Sequence, residues 1–185
     1  MLSFNDLLEA INITTNGAMI SKHIPTLEKM NKIKHINLSI DSLKKEKFYQ
    51  ITRRDVFPEV YKTFEALEKS SLNLKLNVVV QPGFNTDEIV DFVALTKTKN
   101  VAVRFIEEMP FNGKGQRDMT ENWNFNRILE EIKTTFVVEP IFTEKSSTSK
   151  NYSIKGHMGS VGIIPAFTRT ICNDCNRIRI TPVGT

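Results

Sequence analysis

The sequence predicts an α/β fold in which an incomplete (βα) barrel is followed by a small β-rich region. Three observations predict it: apolar strands alternate with helix-like segments, polar residues fall at the carboxyl ends of those strands, and the pattern changes after Phe136. Such alternation is typical of parallel strands joined by right-handed crossovers. Because a complete eight-fold barrel needs about 250 residues, four units predict an incomplete barrel or an open sheet. We expect two domains, residues 1–136 and residues 137–185.

Composition narrows the class of protein. Hydrophobic residues make up 40% of the 185-residue chain and charged residues 25%, as is normal for a soluble globular protein. No apolar run approaches the roughly 18 to 20 residues that span a bilayer, and the N-terminal stretch has no signal-peptide pattern. We therefore expect a cytoplasmic protein that binds no membrane. The net charge of +4 is too small and too dispersed to indicate nucleic-acid binding, so we expect none.

The first elements follow from strand, turn and capping signals. An apolar stretch ends in Thr14, Thr15 and the pair Asn16 and Gly17, which is typical of a strand that runs into a turn. Pro25 near the start of the next segment indicates a short helix. In order, the predicted segments are the strand EAINIT, the helix IPTLEKMNKI, the strand KHINLSID and the helices SLKKEKFYQI and FPEVYKTFEALEKS.

The later elements continue the alternation and then become β-rich. In the last of those helices, Val60, Phe64 and Leu67 recur at helical spacing and predict a buried face. The segments that follow are the strand LKLNVVVQ, the turn PGFNT, the helix DEIVDFVALTKTK, the strand VAVRFIEE, the polar loop MPFNGKGQRDMTENW, the helix FNRILEEIKTTF, the strand VVEPIFTEK, the loop SSTSKN, two β segments in YSIKGHMGSVGIIPAF and the strand RIRIT.

Polar residues interrupt the predicted strands at every second position. A parallel strand that is buried on both faces should be almost entirely apolar, and residues two apart point to the same face. Polar side chains near the carboxyl ends therefore predict the mouth of a barrel or open sheet, where ligands bind. The sets that share a face are Asn37, Ser39 and Asp41, then Lys75 and Asn77, then Arg104 and Glu108.

The two cysteines form a C-x-x-C pair near the end of the chain. Cys172 and Cys175 can reach one metal ion or iron–sulfur cluster, and this is the reading that the spacing favours. A zinc site would need two more ligands, and His157 is the one nearby histidine. A redox pair would begin a helix, whereas the residues after Cys175 resemble a strand. Two buried structural thiols are the third alternative.

Basic residues and a threonine suggest ligand contacts. Arg177 and Arg179 share one face of a predicted strand, where their guanidinium groups either bind phosphate or a purine edge or are solvated. Lys75 on a parallel strand must face a cavity or extend to solvent. Thr14 either binds a ligand or belongs to a plain turn.

Glu107, Glu108 and Met109 close the fourth strand. The two carboxylates point to opposite faces, so they do not form an acid–base pair, and we expect no catalytic residue here. Met109 by itself predicts core packing.

Several motifs occur together in a recognisable order: ITTNG, INLSID, LKLNVVVQPGFN, VRFIEEMPFNGKG and GSVGIIPAFTRTICNDCNRIRITPVGT. In this order they resemble the GTP 3′,8-cyclases of molybdenum cofactor biosynthesis, a radical S-adenosylmethionine (SAM) family, over essentially the whole chain. The most specific part is C-x-x-C-N-R-x-R-[LI]-T. The resemblance implies a partial barrel of the radical SAM type with a C-terminal cluster-binding region.

The resemblance also implies a reaction. In this family a [4Fe–4S] cluster on a C-x-x-x-C-x-x-C loop cleaves SAM, and the resulting radical starts the cyclisation of GTP to (8S)-3′,8-cyclo-7,8-dihydroguanosine 5′-triphosphate, the first step of molybdopterin biosynthesis. A second [4Fe–4S] cluster, held by three cysteines, binds the guanine. The implied partners are GTP, SAM, an electron-donor reductase and the next enzyme of the pathway, and the family pattern allows a homodimer.

Site roles follow from the resemblance, residue by residue. Two residues match ligands of the second cluster, four match contacts to GTP, and two match contacts to SAM. The role for Met109 replaces its core interpretation. In that order the residues are Cys172 and Cys175; Thr14, Lys75, Arg177 and Arg179; Ser39 and Met109.

The sequence departs from the family pattern at the clusters. It has no C-x-x-x-C-x-x-C and no cysteine before Cys172, and the glycine-rich segment that meets the SAM amino group is missing. The third cysteine of the second cluster is expected beyond Thr185. We therefore expect an internal segment of a longer enzyme that cannot cleave SAM alone. The alternatives are another radical SAM enzyme with a C-terminal cluster, or a non-catalytic metal- or nucleotide-binding module.

Overall fold

The structure is a computed structural model that describes residues 7–109, 123–142, 147–166, 168 and 180. Seven strands form one sheet in the order β1-β2-β3-β4-β7-β6-β5. Strands β1 to β4 and β7 run parallel to one another, whereas β6 pairs antiparallel with both β5 and β7. The strands are β1 Ile11–Thr15, β2 Ile33–Ser39, β3 Asn73–Val80, β4 Val101–Glu107, β5 Val138–Ile141, β6 Lys150–Ile154 and β7 Ser160–Ile164.

Helices connect the parallel strands. Two short 3₁₀ segments, Ile20–His23 and Thr86–Glu88, lead directly into helices. The mixed α/β architecture with βα units in succession confirms the predicted fold class. The helices are α1 Ile24–Glu28, α2 Lys45–Thr52, α3 Phe57–Glu68, α4 Ile89–Leu95 and α5 Phe125–Thr135. None of the helices in the described ranges has the length and apolar character needed to cross a membrane.

Element boundaries differ from the predictions where side chains compete for backbone groups. The predicted helix over residues 87–99 begins as a 3₁₀ turn and ends at Leu95. It stops there because the Thr96 hydroxyl donates to the carbonyl of Val93 at 2.8 Å, which satisfies a carbonyl of the last turn. Residues 150 and 151, expected in a loop, begin β6. The predicted strand RIRIT lies outside the described residues, except for Ile180.

The core lies between the sheet and its helices. Every second residue of β3 and β4 is buried, and the residues between them are half-buried or exposed, so one sheet face is covered. From α3, Val60, Phe64 and Leu67 are buried against it, which confirms the predicted helix face. Phe92 of α4 packs edge-on against Phe105 of β4, with ring centroids 6.3 Å apart.

The C-terminal strands extend the same sheet. Strand β7 pairs parallel with β4, although α5, β5 and β6 lie between these two strands in the chain. The β-rich character predicted after residue 136 is confirmed, and the division into domains 1–136 and 137–185 stays a prediction.

Candidate functional site

The polar residues of the strands meet on the sheet face opposite the core. Pairing register places them in rows that cross the parallel strands, because each residue has its partner at the same height on the next strand. One row is Thr14, Asn37, Lys75 and Ala102; the next toward the carboxyl ends is Ser39, Asn77, Arg104 and Gly162.

Thr14 sits beside a rigid turn. Its hydroxyl accepts a hydrogen bond from Asn37 Nδ2 at 3.2 Å. Gly17 has φ of 80°, and a Cβ there would lie 2.6 Å from Leu38 Cδ1, so both conformation and space require glycine. Thr63 Oγ1 of α3 donates to the Gly17 carbonyl at 2.6 Å. The turn predicted from TTNG is therefore present and fixed to the core.

Three buried polar atoms on this face have no hydrogen-bond partner in the part of the chain that the structure describes. They are Nδ1 of His35, Oδ1 of Asn37 and Oδ1 of Asn77. His35 and Asn37 lie two residues apart in β2, and Asn77 lies in β3, all at half-buried positions of this face. Buried polar atoms in proteins are nearly always paired, so this face has the unmet hydrogen-bonding capacity of a binding surface.

Basic residues lie close together on this face. Burial lowers the pKa of Lys75, and the neighbouring Arg104 lowers it further. Burial also lowers the pKa of His35, with added effects of Lys75 and Arg104. An anionic ligand would stabilise the charged forms of Lys75 and His35, because it would offset the charge of the neighbouring Arg104. The sequence had placed Arg104 on this face without giving it a role.

Residues at the start of β6 cover the polar face where it reaches β7. A Cβ at Gly162 would lie 2.4 Å from Ser149 Oγ and 3.4 Å from Arg104 Cγ. Ser149 is buried, and its hydroxyl donates to Asn151 Oδ1 at 2.8 Å. Glycine is required at position 162 because the side chains of Ser149, Asn151 and Arg104 leave no room for a Cβ there.

Side-chain bonds join the carboxyl ends of β2 and β3. Asp41 Oδ1 accepts a hydrogen bond from the Val79 amide at 2.8 Å. Asn85 Oδ1 accepts from the Gln81 amide at 2.8 Å, while its Nδ2 donates to the carbonyls of Asp41 at 2.7 Å and Val79 at 2.8 Å. Burial raises the pKa of Asp41, and the bond from Val79 opposes that rise. Sequence reasoning placed Asn85 only in a turn.

A buried carboxylate fixes the segment after β2. Glu88 has no exposed surface. It accepts from Ser42 Oγ at 3.0 and 3.1 Å and from the Leu43 amide at 2.7 Å, and Lys47 Nζ lies 3.4 Å away. Nothing in the sequence pattern indicated Glu88, because it falls on the first turns of an ordinary amphipathic helix.

The predicted SAM contacts lie at the carboxyl edge of the sheet. Ser39 is the last residue of β2 and half-buried. Met109 comes two residues after the end of β4 and is 41% exposed, so it is not a core residue. Both residues therefore lie at the carboxyl edge of the parallel strands, the edge at which ligands of open α/β sheets bind. Thr14 and Lys75, the predicted GTP contacts, occupy one row of the polar face.

The other predicted site residues lie outside the described residues. They are Cys172, Cys175, Arg177 and Arg179. His157, considered as a zinc ligand, instead has its Nδ1 2.7 Å from Thr96 Oγ1 and its ring edge-on to Phe136. Across the described ranges no three His, Cys, Asp or Glu side chains are grouped so that they could hold a metal ion.

Two family models match the chain. The radical SAM superfamily model matches residues 5–96, and the Molybdenum Cofactor Synthesis C model matches residues 101–185. Together they span nearly the whole sequence.

Curated relatives are similar over nearly the full chain. A GTP 3′,8-cyclase of Alkaliphilus oremlandii is 39% identical, covering 100% of this chain and 57% of the relative. Molybdenum cofactor biosynthesis protein moc-5 of Caenorhabditis elegans is 40% identical over 96% of this chain and 30% of the relative. A GTP 3′,8-cyclase of Chlorobaculum tepidum is 37% identical, covering 94% and 53%.

The chain thus spans between about a third and just over half of the length of these relatives. The α/β sheet, the two models and the relatives agree with the resemblance found in the motifs. The chain belongs to the radical SAM superfamily, with a C-terminal region of the molybdenum cofactor synthesis type.

Proposed function

We propose that this chain forms the substrate-binding face of a GTP 3′,8-cyclase, which cyclises GTP in the first step of molybdopterin biosynthesis. One observation carries the proposal: Lys75 and Arg104 lie in adjacent rows of a polar sheet face, and the buried amide oxygens of Asn37 and Asn77 on that face have no hydrogen-bond partner among the described residues. The names of the curated relatives support the same activity.

GTP has the chemistry that this face calls for. Its triphosphate would stabilise the charged form of Lys75, whose pKa is lowered by burial and by the neighbouring Arg104. Its base and ribose hydroxyls carry the donors that free amide oxygens accept. In this proposal Thr14 and Lys75 contact GTP from the sheet, and Arg177 and Arg179 contact it from the C-terminal region.

Membership of the superfamily implies SAM and a [4Fe–4S] cluster. We assign Ser39 and Met109 to SAM, because both lie at the carboxyl edge of the sheet. The 185 residues do not fit the SAM-cleaving cluster, since they contain no C-x-x-x-C-x-x-C. Cys172 and Cys175 suit two ligands of a second cluster. The reductase, the next pathway enzyme, a homodimer and the cytoplasmic location stay predictions.

Direct GTP binding tests the proposal. Calorimetry with the wild-type chain should detect GTP binding, and Lys75→Ala should weaken it about 10- to 100-fold, because hydrogen bonds to charged groups contribute about 1.5–3 kcal/mol. Lys45→Ala is the matched control, since Lys45 lies on the surface of α2 and pairs with Asp55 at 3.3 Å. Equal affinity in all three proteins would contradict the assignment of Lys75.

Metal content distinguishes the alternative of a non-catalytic zinc module. After anaerobic reconstitution, the chain should bind at most about four irons, together with sulfide, because it has a single C-x-x-C. Cys172→Ser combined with Cys175→Ser should abolish that binding. Tightly bound zinc without sulfide would instead favour the zinc module.

A further inference from the structure

The ends of β2 and β3 are joined by side chains rather than by a continuing ladder. The last backbone bond between them runs from the Ile40 amide to the Asn77 carbonyl at 3.0 Å. Beyond it, Asp41 Oδ1 accepts a hydrogen bond from the Val79 amide, and Asn85 Nδ2 donates to the carbonyls of Asp41 and Val79. The strands therefore separate here while every one of these polar groups stays bonded.

We propose that Asn85 is a positioning residue for the SAM-binding edge, holding Ser39 and Asn77 at the spacing that the ligand requires. The inference rests on the proposed function, because it takes Ser39 as a SAM contact. Asn85 does not belong to the polar face and is not a catalytic residue. It acts through the two strand ends that it bonds.

The bonding of Asn85 fits this role and excludes close substitutes. The Asn85 side chain is 2% exposed. Its oxygen accepts a hydrogen bond from the Gln81 amide, and its amide group donates two, to the carbonyls of Asp41 and Val79. A carboxylate of the same shape would lose both donors and face two carbonyl oxygens. Only an amide satisfies all three groups.

The location of the bonds ties Asn85 to the ligand edge. Ser39 ends β2 two residues before Asp41, and Asn77 lies in β3 two residues before Val79. Ser39 and Asn77 are register partners. A shift of the Asp41 and Val79 carbonyls therefore moves both, and ligands of open parallel sheets bind in the crevice at such ends.

The test compares SAM and GTP binding in variants of the chain. Asn85→Ala should weaken SAM binding about 10-fold and GTP binding less than 3-fold. The reason is that Thr14 and Lys75 lie one row further than Ser39 from the strand ends that Asn85 bonds. Hydrogen exchange at the Gln81 amide should accelerate, because it loses its acceptor. Asn85→Ser, whose hydroxyl keeps one donor and one acceptor, should give intermediate values for each measurement.

Thr96→Val is the matched control. Thr96 is fully buried and its hydroxyl bonds Val93 and His157, at the opposite end of the sheet, just before β4. It should lower the denaturant midpoint without changing SAM affinity. If Asn85→Ala does not fold, Asn85→Ser decides the question.

The outcomes separate this inference from the proposed function. SAM affinity within twofold of wild type in a folded Asn85 variant overturns the inference alone. An equal loss of SAM and GTP binding in Asn85→Ser also overturns it, because that would indicate general loosening. If the wild-type chain binds GTP but no SAM, the assignment of Ser39 fails and the inference fails with it, while the GTP proposal stands.

Discussion

The carboxylate of Glu107 holds Thr168 by two hydrogen bonds, from its amide at 2.9 Å and from its hydroxyl at 2.8 Å. The same carboxylate accepts from the Phe125 amide at 2.6 Å, the first residue of α5. Glu107 is 2% exposed. One buried side chain at the end of β4 thus caps a helix and fixes the chain four residues before Cys172.

Replacing Glu107 tests this junction. Glu107→Ala should lower the free energy of unfolding by about 2–4 kcal/mol, because the Phe125 amide and the amide and hydroxyl of Thr168 all lose a charged acceptor. Glu130→Ala, an exposed position on α5, should change it by no more than about 0.5 kcal/mol. Urea denaturation of both variants measures the difference, and similar midpoints would show that Glu107 contributes nothing specific.

Two adjacent acidic residues should differ sharply in their effect on stability. Glu88→Ala should cost about 3 kcal/mol, because it leaves Ser42, Leu43 and Lys47 facing an empty buried site. Asp87→Ala removes ion pairs with Lys44 and Lys47, but its carboxylate is 55% exposed, so the loss should cost at most about 1 kcal/mol. Thermal or chemical unfolding measures both; a larger loss in Asp87→Ala would reverse our ranking of the two sites.

The ionisation of His35 should report GTP binding. Burial, Lys75 and Arg104 all lower its pKa in the free protein. A triphosphate that offsets the two cations should raise that pKa, as measured by NMR titration of the imidazole Cε1–H signal. Guanosine, which carries no phosphate, should leave the pKa unchanged. A pKa that stays constant while GTP saturates the protein would place the triphosphate away from Lys75 and Arg104.

Asp41 should make stability fall as pH rises. Burial raises its pKa in the folded state above the ordinary value of 3.8, so the folded protein binds the proton more tightly than the unfolded chain does. The associated stability is fully present below pH 3.8 and is lost as pH rises through the folded-state pKa. Asp41→Asn keeps an acceptor for the Val79 amide and should remove this dependence.

The measurement for Asp41 is the denaturant midpoint at two pH values. Wild type and Asp41→Asn should agree closely near pH 3, where the carboxyl group is neutral in both states. At pH 8 the asparagine variant should be the more stable. A variant that is less stable than wild type at pH 8 would mean that the charged form is favoured in the folded protein.

The sequence by itself determined the order of βα units and which strand residues share a face. Both follow from local periods, 3.6 for helices and 2 for strands, and Asn37, Ser39, Lys75 and Asn77 fall on one polar face as expected. The motifs were also enough to indicate the family, because each of them is one continuous stretch of sequence that can be recognised without the fold.

Only the tertiary structure decided how distant segments complete the sheet edge. Strand β7 joins β4 across an intervening helix and hairpin, and Asn85, Glu88 and Glu107 bond partners 18 to 61 residues away. Periodicity reports which side of an element a residue takes, but the partner of a buried polar group depends on which elements pack together. These three residues therefore appeared in the sequence as ordinary turn, helix and strand positions.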